Sequence, residues 1–143
     1  SMKRVMICLA LSLCSTLVVA KEKRDDMQLS DFVVGQYRLI GQVPDSDVVL
    51  GGTVDIALTK KGLRMTRHIN GRTTTGSAAI ETALAGEAKV LRWRFMEAGK
   101  AYESTCLISS DLDNNARLTC YRYAQQGETK RVGLEALFME PHP

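Results

Sequence analysis

From Val33 onward, apolar and polar residues alternate in short runs broken at close intervals by turn-forming residues. Val54, Ile56 and Leu58 take one phase while Thr53, Asp55, Ala57 and Thr59 take the other. Leu63, Met65 and Ile69 oppose Arg64, Thr66 and His68, with Arg67 the charged exception in the apolar phase. Leu91, Trp93 and Phe95 oppose Arg92 and Arg94, and Val132, Leu134, Ala136 and Phe138 form the last apolar series. Alternation with period two predicts half-buried strands. The breaks fall at Asp45-Ser46-Asp47 with Gly51-Gly52, Lys61-Gly62, Asn70-Gly71, Gly86, Ala98-Gly99, Asp111 to Asn115, and Gln126-Gly127. Asn70-Gly71 is the strongest, because both residues tolerate the positive φ of a type I′ hairpin turn. Eight strands are therefore predicted, near 33–43, 53–59, 63–69, 73–83, 89–97, 101–109, 116–124 and 130–138. The Ala-rich stretch Ser77 to Gly86 reads as strand or irregular chain, with a short helix capped by Ser77 as the other reading.

The run Ala101 to Tyr123 carries one cysteine on each side of its turn. A turn centred on Asp113 sets Cys106 opposite Cys120, Ile108 opposite Leu118, and Ser109 opposite Arg117. The same register sets Glu103 opposite Tyr123 and Thr105 opposite Tyr121. Cysteines opposed at a non-hydrogen-bonded pair of antiparallel strands come close enough to bond. A cross-strand Cys106–Cys120 disulfide is therefore expected. Eight short strands joined by tight turns predict an all-β fold, an eight-stranded antiparallel up-and-down barrel of the calycin type. A membrane barrel needs an outward apolar band. The outward phases here carry Asp55, Arg64, Arg92, Arg94 and Glu103, so a soluble barrel is expected.

The N-terminal region follows a different rule. Lys3 and Arg4 precede an apolar run from Val5 to Ala20, which ends at the charged stretch Lys21 to Asp26. A basic start, an apolar middle and a small boundary residue predict a Sec-type signal peptide over 1–20. Ser1 stands ahead of the expected start Met2. Residues 21–32 are polar and aperiodic and read as a flexible leader, leaving 33–143 as one barrel domain. The formal charge of the chain is +3, and loss of Lys3 and Arg4 with the signal brings it close to neutrality. That balance implies no long-range attraction to nucleic acid. Cys8 and Cys14 leave with the signal, so the remaining pair suits an oxidising compartment, the periplasm or the exterior of a bacterial cell.

Gly35-Gln36-Tyr37-Arg38-Leu39, Gly52-Thr53-Val54, Ile69-Asn70-Gly71, Ser110 to Asn114 and Gly133 to Phe138 resemble segments of small exported bacterial β-barrel proteins of unassigned function. The similarity covers most of the chain after the signal. It rests on turn and strand-end residues, so it implies a β fold and carries no activity. In topology the pattern is also similar to lipocalin-like and avidin-like barrels, although Tyr37 stands where lipocalins open with Trp.

Few residues suggest chemistry. Asp111-Leu112-Asp113-Asn114-Asn115 imitates the start of a calcium loop, but Ala116 stands where glycine is needed and Arg122 where glutamate is needed. The same residues suit a hairpin turn. His68 has no second ligand at metal spacing and reads as a solvent-facing polar position, and His142 lies between prolines in the tail. Glu103, Tyr121, Tyr123, Arg92 and Arg94 share one face, yet no nucleophile, oxyanion donor or phosphate loop accompanies them. No catalytic residue, metal or cofactor is expected.

Three functions remain open. The first is binding of a small apolar or amphipathic ligand in or at the mouth of the barrel, with Tyr37, Trp93, Phe95 and Phe138 filling or lining the interior. The second is binding or inhibition of another envelope protein through the loops, with Val43 to Gly52 and Asp111 to Asn115 the first surfaces to test. The third is an enzyme, which the missing constellation disfavours; a structural domain without a ligand is the residual case.

Overall fold

The computed structural model describes residues 2–141, with side chains from Leu13 onward; Ser1 and His142 lie outside the described residues. Helix α1 spans Met2–Val33. The strands follow as β1 Gly35–Gln42, β2 Val49–Thr59, β3 Gly62–Ile69, β4 Arg72–Ala83, β5 Ala88–Glu97, β6 Lys100–Ser110, β7 Ala116–Ala124 and β8 Gly133–Met139. Each strand pairs antiparallel with its sequence neighbour, and β1 pairs with β8 to close the barrel. The alternation that predicts eight strands in an up-and-down barrel is thus realised in the chain.

Turn chemistry sets the register. Asn70 and Gly71 take φ of 51° and 75°, and Ala98 and Gly99 repeat the geometry with 50° and 74°. Two successive left-handed residues give the turn whose twist matches the flanking strands. The hairpin of β6 and β7 has the register expected from the sequence, with Cys106 opposite Cys120 and Glu103 opposite Tyr123. Cys106 and Cys120 are bonded, with Cα atoms 4.0 Å apart and both sulfurs inside the barrel. Asp111 organises the turn, accepting hydrogen bonds from the backbone N–H groups of Asp113 and Asn115 at 2.9 Å each. The Ala-rich stretch is strand as far as Ala83, and a 3-10 turn over Leu84–Gly86 follows.

Two features differ from the sequence expectation. Residues 21–32, read as a flexible leader, are helical and continuous with the segment before them. The last turns of α1 close the end of the barrel where β1 begins. Val33 is buried in the core and Phe32 packs against it. The Tyr37 hydroxyl donates to the Val33 carbonyl at 2.7 Å, and Lys89 meets Glu22 and Asp26 at 3.0 Å each. The second difference is the phase of β8. Leu134 and Phe138, placed in the apolar series, face outward, while Gly133, Glu135 and Leu137 face inward. The inward carboxylate is admitted because two arginines meet it there. The buried face of this strand thus joins an ion-paired carboxylate, Glu135, to a core leucine, Leu137.

The outer wall carries charge on most strands, including Arg38, Asp55, Arg64, Arg94 and Arg117. Among the described residues no helix is long and apolar enough to cross a membrane.

Candidate functional site

An eight-stranded barrel leaves an interior that side chains can fill. Here they fill most of it. Under α1 the filling is aliphatic, with Leu39, Ile56, Leu63, Leu91, Leu118 and Leu137 in one cluster with the disulfide. Further along, Trp93 and Phe95 stack with ring centroids 4.0 Å apart, and Tyr102 stacks on Phe95 at 5.7 Å. Gly76 makes room for the indole: a Cβ there would lie 2.5 Å from Trp93 Nε1 and 2.1 Å from the Arg94 carbonyl oxygen.

Toward the other end the interior becomes ionic. Arg67 is 2% exposed, Arg122 5% and Glu135 4%. Arg67 donates to both oxygens of Glu135, and Arg122 donates to Glu97. Arg122 also lies 3.9 Å from Glu135 and stacks over Tyr102, its guanidinium 4.4 Å from the ring centroid. The four residues form one chain of alternating charge inside the wall. Gly41, the register partner of Glu135, makes the space, since a Cβ there would lie 2.8 Å from the Glu135 Cγ. The Nε groups of Arg67 and Arg122, the Trp93 Nε1 and the Ser104 Oγ are buried and meet no partner among the described residues.

Above this chain the barrel opens into a cleft of about 320 Å³. Its apolar wall is Val43, Val48, Val49, Leu50 and Ile69, and its polar side is Arg67, Asn70, Arg72, Thr74 and Glu97. It sits at the turn-bearing end of β1, β3 and β5, opposite the end closed by α1. The rim is held firmly. The Asp45 carboxylate accepts from the backbone N–H groups of Lys130 and Arg131, and Arg131 pairs with Asp47 at 3.0 Å. The loop between β1 and β2 is thereby clasped to the loop between β7 and β8.

The residues singled out in the sequence are dispersed. Tyr37 is buried beneath α1, and burial pushes its phenol far above the usual tyrosine range. Trp93 and Phe95 are interior filling. Phe138, expected in the interior, lies instead on the outer face at 36% exposure, with the Arg117 guanidinium 4.6 Å from its ring centroid. Its position follows from the inward turn of Glu135 and Leu137 on the same strand. His68 is exposed and bonds Asp55 at 3.2 Å and Thr73 at 3.1 Å.

The outer-face group is brought together. Arg94 donates to Glu103 at 2.7 Å and to Glu81 at 3.1 Å, Arg92 donates to Thr105, and Tyr123 donates to Glu103. Burial, then the bond to Glu103, raises the Tyr123 pKa. Each carboxylate in this group is already matched to a guanidinium, the arrangement of cross-strand pairs that hold a sheet. Tyr121 stands beside it, half exposed. Among the described residues no group of three or more His, Cys, Asp or Glu is placed to hold a metal ion.

The interior charges were the residues missed by reading for chemistry, yet a signal for them exists. Arg67 shares the phase of Leu63 and Met65, and Arg122 follows Cys120 by two, so a bonded inward Cys120 requires an inward Arg122. Two buried cations then require inward carboxylates. No family model, curated protein or solved structure matches the chain.

Proposed function

We propose that this protein is an exported binding barrel that takes a small amphipathic molecule at its open mouth. The observation that carries the reading is the cleft, with an aliphatic wall of Val43, Val48, Val49, Leu50 and Ile69 facing a polar side of Arg67, Arg72, Thr74 and Glu97. Clefts of about 300–1,000 Å³ with a few convergent polar groups are the usual form of small-ligand sites. The aromatic stack and the ionic chain occupy the rest of the barrel, so the ligand sits at the mouth and not deep inside. Export is supported by the basic, apolar and small-residue pattern of 1–20 and by the bonded cysteine pair, which belongs to an oxidising compartment.

The test is native mass spectrometry of residues 21–143, purified unreduced from the envelope fraction of the source cell. A discrete small mass that survives gentle ionisation and leaves on denaturation is the expected result. A bare protein mass from the same fraction counts against the reading. It turns attention to a second one, a module that engages another envelope protein, which the clasp between Asp45 and Lys130-Arg131 favours by fixing two loops in place.

A further inference from the structure

Charge in and beneath the cleft does not balance. Arg67 and Arg122 are matched by Glu135 and Glu97, but Arg72, at the lip, has no ion-pair partner among the described residues. Three guanidiniums therefore face two carboxylates. Arg67 also lines the cleft, is almost wholly buried, and has an Nε–H that meets no acceptor. A buried donor without an acceptor is costly, and more so when it belongs to a charged group. An anionic oxygen in the cleft balances the unpaired guanidinium of Arg72 and is held by the positive field of the buried Arg67 beside it. Glu97 lines the cleft too, but Arg122 holds it, so it offers no free charge to a cation.

Resting on the binding role proposed above, we infer that the cleft selects a ligand with a singly charged oxyanion head on a short aliphatic body. The head lies between Arg72 and the Arg67–Thr74 side of the cleft, and the body covers Val48 and Val49, which are otherwise exposed at the rim. Arg72 is the specificity determinant. Its planar guanidinium suits a carboxylate, and a lysine there would keep charge but lose the paired hydrogen bonds.

Hexanoate, hexan-1-ol and hexylamine separate the possibilities, each titrated into residues 21–143 while amide resonances are followed by NMR. Hexanoate is expected to shift the amides of Val49, Leu50, Ile69 and Thr74 and to bind about tenfold more tightly than hexan-1-ol, the worth of one charge-assisted contact. Arg72→Ala is expected to erase that tenfold difference, and Arg72→Lys to restore part of it. Hexan-1-ol or hexylamine binding at these amides as tightly as hexanoate overturns the anion selectivity and leaves the binding barrel standing. Shifts that persist undiminished in Arg72→Ala overturn the role of Arg72. If none of the three probes moves these amides, the mouth site itself is wrong.

Discussion

Glu135 stands between Arg67 and Arg122 with hardly any exposed surface on any of the three. Taking such charges out of water is expensive, and only their mutual contacts offset it. Removing one member therefore costs more than the contact it made. Glu135→Ala is expected to lower unfolding free energy by about 3–5 kcal/mol, read from denaturant midpoints, because Arg67 is left buried and unmatched. The double variant Arg67→Met/Glu135→Leu is expected to recover most of the loss, since Arg122 keeps Glu97. If the double variant is as unstable as the single one, the pair contributes shape and packing beyond its charge. Chain phase alone exposes Arg67 as an inward cation. Glu135 escapes the same reading because Leu134, Ala136 and Phe138 make the opposite phase of β8 look like the apolar one.

The β6–β7 hairpin is the element whose sequence reading was most complete. Its turn, its register and its cysteine pair follow from one another, because opposed positions on antiparallel strands are fixed once the turn is placed. The closed loop spans a sequence separation of 14, for which chain entropy gives about 3 kcal/mol. Cys106→Ala/Cys120→Ala is expected to lose about that much in equilibrium unfolding, with barrel circular dichroism retained at low temperature. An unchanged midpoint would mean that the unfolded chain gains nothing from the missing link. The C-terminal part of α1 was the opposite case. Residues 21–31 show no apolar stripe, and they dock through Lys89 contacts and the terminal Phe32 and Val33. Such docking leaves no periodic trace, so propensity and pattern are silent about it. The mouth cleft was equally hidden, since it assembles from four separate strands and two connections between strands.

At the scale of the molecule, the barrel has one closed and one open end, and the closed end depends on a protonated phenol. Burial raises the Tyr37 pKa in the folded state above the unfolded value of about 10. A group raised in this way contributes stability that is whole below pH about 10 and is lost as pH climbs toward its folded value. Unfolding midpoints are therefore expected to hold through neutral pH and to fall above pH about 10, with Tyr37→Phe falling less steeply. A parallel fall in both proteins would place the alkaline sensitivity elsewhere, with Tyr123 the next group to test.

The seam between β1 and β8 carries a further consequence for the order of folding. Strand β8 brings the carboxylate that meets Arg67, delivered on β3, and Arg122, delivered on the strand just before. Until Glu135 arrives, β1 and β7 present bare edges and Arg67 lacks its counterion, while Arg122 has only Glu97. A chain cut short before β8 therefore stays open and vulnerable to proteases, because β8 is the strand that joins β7 to β1.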